Sequence, residues 1–83
     1  MYNETNYNGH SVQSSLFALL NAEQQQFMRP IMRPLKHWAQ VEMASAMLDY
    51  LEHGVVISPD SRVVADLFDI VLKSQIFRPL NNI

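Results

Sequence analysis

Cysteine is absent from the chain, so neither a disulfide nor a thiolate metal site can supplement its core. Glycine occurs only at positions 9 and 54, which rules out a glycine-rich phosphate cradle. No serine sits in a G-x-S-x-G frame, and no other constellation of nucleophile, base and acid stands out. No apolar run approaches the ~18 residues that span a bilayer. The first ten residues, MYNETNYNGH, lack the basic and apolar regions of a secretory leader, so a cytoplasmic location away from membranes is expected. A strong charge excess is lacking too. The formal net charge of −2 argues against a dedicated nucleic-acid binder and is too small for an acidic mimic of DNA.

These absences leave few functions, and none of them is catalysis. Asp49 and His53 stand four apart, a spacing compatible with metal, but two ligands do not make a site and nothing completes them. No enzyme, cofactor or metal is expected.

An 83-residue chain has room for one domain. At this size apolar burial barely offsets the ordering entropy. A hydrophobic content of 48% is ample for so small an interior, so part of the apolar surface is expected to face a partner or a second copy.

Helical periodicity dominates the pattern. Residues 1–10 carry no apolar repeat and read as a flexible tail preceding a single helical domain over 11–83. Val12, Leu16, Leu19 and Leu20 share one face of a short helix at about 12–20, and the L-x-x-L-L pattern within it reads as a core stripe. Asn21 and Gln24 form an N-terminal capping signature, with Glu23 in the first turn. His53 and Gly54 close the central region, Gly54 in a left-handed C′ position of Schellman type. Val55–Ile57 reads as an apolar connector buried as it crosses the bundle. Ser58, Pro59 and Asp60 resemble N-cap, N1 and N2 of a last helix over 59–76, ended by Pro79. Its stripe is Val64, Leu67, Phe68 and Val71, widened by Val63, Ile70 and Leu72. Arg62, Asp66, Asp69 and Lys73 form its wet face, with Asp69 and Lys73 paired.

The segment FMRPIMRPLKHW, Phe27 to Trp38, is the unusual one. Each helical proline costs about 3 kcal/mol or more, and two stand four apart. Polyproline grooves read P-x-x-P, so P-x-x-x-P among bulky apolar residues is no such ligand. The stripe Leu35, Ala39, Met43, Ala46 and Tyr50 extends back in phase to Met32 and Met28. That phase favours a helix running 22–53 with a kink at 29–34 over an outright break there. Straight, it would be about 50 Å long, so a bend at Pro30 and Pro34 is required in either case. Met28, Met32, Met43 and Met47 are expected in the core.

The expected fold is thus all-α, a bundle of three to four helices. Charge along it is segmented. Arg29, Arg33 and Lys36 precede a stretch with Glu42, Asp49, Glu52, Asp60, Asp66 and Asp69 against Arg62 alone. We therefore expect a protein-interaction or oligomerisation module, regulatory or accessory, that binds a protein partner or itself. Arg29, Arg33, Lys36, His37 and Trp38 are the candidate partner-binding residues. The alternative is a nucleic-acid-linked regulator gripping phosphate with those bases and stacking on Trp38.

Overall fold

The computed structural model describes residues 4–80, with side-chain surroundings described from Val12 onward. Four helices follow one another: α1 (Glu4–Leu19), α2 (Ala22–Met32), α3 (His37–His53) and α4 (Arg62–Lys73). No strand occurs among the described residues. The backbone of α1 extends beyond its apolar stripe to Glu4. Of the tail expected over 1–10, residues 1–3 lie outside the described residues, as do the side chains of 4–10.

Burial follows the stripes. Leu16 and Leu20 from α1, Met28 and Met32 from α2, and Val64, Phe68 and Val71 from α4 converge on α3. That helix is covered over a wide arc: Ala39, Met43 and Ala46 on one line, Ala44, Met47 and Leu51 on the next. It packs most extensively on α1 and also on α4. The small Ala44 and Ala46 leave room for neighbouring backbones, and the four methionines fill the irregular space between.

The central region is broken, not kinked. α2 stops at Met32 and α3 starts at His37. Pro34 has no N–H to offer the carbonyl of Pro30, and its ring crowds that same carbonyl. Leu35 N–H closes a tight turn on Met32 O at 3.0 Å, and Lys36 is extended at ψ 158°. Pro30 is accommodated inside the last turn of α2. The bond it deletes is to the carbonyl of exposed Gln26, where water can replace it. Met28 and Met32 face the core as their phase implies, while the helix is interrupted between Met32 and His37. The turn is short enough that both helices present their stripes to one core. A longest extent of 38 Å would not hold a straight helix of about 50 Å.

Three further expectations need correction. The connector Val55–Ile57 lies exposed on the surface instead of crossing a buried interior. α4 begins at Arg62, three residues after Pro59, and Ser61 is the N-cap residue. Extended chain covers about 3.3 Å per residue against 1.5 Å in a helix, so keeping 59–61 out of α4 lengthens the connector's reach. α4 ends at Lys73, well before Pro79. Gln75 then adopts φ +64° and turns the chain sharply back. This conformation costs a non-glycine residue about 1–2 kcal/mol. It allows Phe77 to enter the core, 5.9 Å from the Phe27 ring, and full burial of a phenylalanine is worth about 1.5–3 kcal/mol.

Hydrogen bonds fix the ends. Asn21 and Gln24 form the reciprocal capping box, at 2.8 and 2.9 Å. Gly54 has φ +70° and donates to Tyr50 O at 2.8 Å, and Val55 N–H reaches Asp49 O at 3.4 Å, so two bonds close α3 around a left-handed glycine. The strap after α4 is tied at both sides. Gln24 Nε2 donates to Ile76 O at 2.7 Å, and Leu80 N–H donates to Leu51 O at 2.6 Å.

Two substitutions test the two left-handed residues. Gly54→Ala meets no obstacle nearer than Pro79 Cβ at 3.9 Å, so its effect is backbone strain alone. It should lower stability by about 1–2 kcal/mol. Gln75→Gly relieves the same strain and should raise stability by up to about 1 kcal/mol. Thermal melting of both variants against the parent checks the opposite signs.

Candidate functional site

The end of α1 leaves carbonyls that no further helical turn can satisfy. Gln25, one turn into α2, supplies the donor: its Nε2 reaches Phe17 O at 3.0 Å and Leu20 O at 3.2 Å. The same amide accepts from Arg29 Nη2 at 3.3 Å, and the Arg29 guanidinium lies 5.6 Å from the centroid of the Phe17 ring. The end of α2 is treated alike. Gln40 Nε2 donates to Met32 O at 2.9 Å, and a longer contact of 3.4 Å joins Gln13 to Gln40. Glutamine amides thus hold α1, α2 and α3 at fixed distances from one another.

Between α1 and α2 this leaves a groove of about 350 Å³, lined by Gln13, Ser14, Phe17, Arg29, Met32 and Arg33. Its floor is aromatic and thioether, and its rim carries two guanidinium groups. Among the described residues no carboxylate pairs with Arg29 or Arg33; the ion pairs that form there are Arg62–Asp66 at 3.2 Å and Lys73–Asp69 at 2.9 Å, both on the wet face of α4. The basic segment of the sequence and the acidic one that follows it are therefore not joined by ion pairs of Arg29 or Arg33 among the described residues.

Of the five candidate binding residues, the structure brings Arg29 and Arg33 together on one groove. Lys36, His37 and Trp38 do not line it. They are exposed at the start of α3, Trp38 at 57%. Pro30 and Pro34 bracket the end of α2, and Pro34 makes the turn. Phe17 and Gln13 were not singled out from the sequence. Their i,i+4 spacing on α1, alongside the Leu16–Leu20 line, was the available signal.

A second groove, of about 210 Å³, has the opposite character. Glu42, Ser45, Ala46 and Asp49 of α3 face Ile57, Ser58, Pro59 and Asp60 of the connector. Glu42 Oε1 is shielded from solvent and has no hydrogen-bond partner. Among the described residues no group of three or more histidine or acidic side chains is placed to hold a metal ion. None of their helices is long and apolar enough to cross a membrane. No protein-family model, curated protein or solved structure matches the chain.

The role of Gln25 can be separated into its two halves. Gln25→Ala removes the donor to two carbonyls and should cost about 1–3 kcal/mol. Gln25→Glu keeps the size and gains a charge pair with Arg29, yet cannot donate. If capping α1 is the main role, Glu should restore little of the loss at neutral pH. Urea unfolding of the three proteins measures the difference.

Proposed function

We propose that this chain is a non-catalytic interaction module, a small regulatory or accessory protein that works by presenting an apolar and charged surface to another protein or to itself. The observation that carries this reading is the amount of large apolar side chain left outside the core. Val55, Val56 and Ile57 are consecutive and exposed, Val56 at 59%. Val63 and Ile70 lie two turns apart on α4, beside rather than within its buried stripe, and Trp38 and Leu80 add to them. Single exposed apolar residues are ordinary, and a contiguous run in so small a chain supports the reading of a contact surface. The apolar face of α4 is wider than its buried line, which suits a helix that also packs outward.

A second reading, a nucleic-acid-linked regulator acting through 29–38, draws on the unpaired Arg29 and Arg33 and on exposed Trp38. Two arginines on one groove and a net charge of −2 give it less support than the apolar surface gives the first.

The test replaces Val56, Ile57 and Ile70 together by serine and compares the variant with the parent. Melting temperature should change little, because these side chains are already exposed. Stoichiometric association, with itself by light scattering or with a protein retained on the immobilised chain, should be lost. A parent that is monomeric at high concentration and retains nothing removes the module reading. Binding to single-stranded DNA or RNA that weakens by about 0.7 log units per phosphate contact for each tenfold rise in salt would favour the second reading.

A further inference from the structure

Five charged side chains that make no ion pair among the described residues fall, sorted by sign, into two grooves. The α1–α2 groove holds Arg29 and Arg33 over a floor of Phe17 and Met32. The α3–connector groove holds Glu42, Asp49 and Asp60 beside Ile57, which is 53% exposed. Each combines charge of one sign with accessible apolar surface, so each offers what the other lacks. We propose that the basic α1–α2 groove of one copy docks on the acidic α3–connector groove of a second copy, with Arg29 and Arg33 paired to Asp49 and Asp60 and Ile57 set against Phe17. The proposal rests on the interaction-module reading and names its occupant.

Charge complementarity is the argument for a second copy. The bases that need acids and the acids that need bases are carried by the same chain in two separate grooves. A guanidinium pairs with a carboxylate through two parallel bonds, which fixes orientation as well as adding attraction. Arg29 is already held by Gln25 and by the Phe17 ring, so little of its freedom remains to be lost. The overall charge of −2 is too small for self-repulsion to oppose the contact. Because the two grooves differ, the contact is heterologous. It continues into a ring or a chain unless two copies close both contacts on each other.

Two variants of the full chain test this. Arg29→Gln/Arg33→Gln disables the basic groove, and Asp49→Asn/Asp60→Asn disables the acidic one. Arg33→Gln and Asp49→Asn alone should each weaken association in part; the Arg33 side chain makes no hydrogen bond or ion pair among the described residues, so its loss leaves the Gln25 and Phe17 contacts of Arg29 in place. Light scattering and sedimentation at low salt should show the parent associating, with an apparent dissociation constant raised about tenfold in each double variant. Raising salt to ~0.5 M should weaken the parent similarly. Mixing the two double variants leaves one intact groove of each kind, and should give a one-to-one dimer that neither forms alone. A parent that stays monomeric at low salt overturns the proposal. So does association that both double variants retain, or a mixture no more associated than its components. If the parent is monomeric yet retains a foreign protein, the second-copy occupant is wrong and the module reading stands. If it retains nothing, both fall.

Discussion

Four short helices leave many backbone carbonyls without a partner, and this structure depends on where those carbonyls find donors. The chain answers with glutamine amides. Gln25 closes the end of α1, Gln40 closes the end of α2, and Gln24 caps the start of α2 while holding Ile76 of the strap. Each amide belongs to a different element from at least one carbonyl it serves. For Gln25 and Gln40 capping and tertiary positioning are therefore the same bonds, and for Gln24 they are two bonds of one amide. This matters most for α2, because the main helix pairs are α1–α3 and α3–α4. The second helix is tied in by Met28 and Met32 on one face and by glutamines at its ends.

Magnitudes explain why the chain accepts two locally poor conformations. A proline inside a helix costs about 3 kcal/mol or more and a left-handed glutamine about 1–2 kcal/mol. Pro34 divides what would otherwise be a rod too long for the domain, and the division lets α2 and α3 share a core. Gln75 lets Phe77 reach the interior against Phe27, where burial and ring contact together outweigh the strain. In both places a local rule yields to a buried apolar group, because an 83-residue chain has few such groups to leave unused.

That ordering also explains what was legible beforehand. The stripes, the inward methionines, the capping box and the i,i+4 pairs of α4 follow from spacing alone. Gly54 was recognisable because glycine is rare here and suits a left-handed cap. The helix break was harder. An apolar stripe records which residues face the core, and it stays in phase across any turn that keeps them facing it. The start of α4 was misplaced because Ser58-Pro59 is a good helix opening in isolation, while the connector uses those residues for reach. Gln25 was invisible because an amide that caps the preceding helix reads, in sequence, as one of three consecutive glutamines. Two of the five expected binding residues came together, Arg29 and Arg33, and their aromatic companion is Phe17 from another helix instead of the adjacent Trp38.

The separation of charge has a local cause that the sequence already contains. On α4 every base has an acid four residues away, and both pairs form. Around Arg29 the positions three and four away hold Gln25, Gln26, Met32 and Arg33. Around Arg33 they hold Arg29, Pro30, Lys36 and His37; around Lys36, Met32, Arg33, Ala39 and Gln40. None is acidic, so helical pairing is closed to all three bases. Tertiary pairing was the remaining route within the chain. After the turn at Pro34, α3 carries Glu42 and Asp49 on the side that meets the connector, so these two line a groove with Asp60 and not with the arginines. Local spacing thus satisfies the charges of the last helix, and the helix break withholds partners from those of the second. A surface with unmatched arginines over an aromatic ring follows from these two facts together, and from neither one alone.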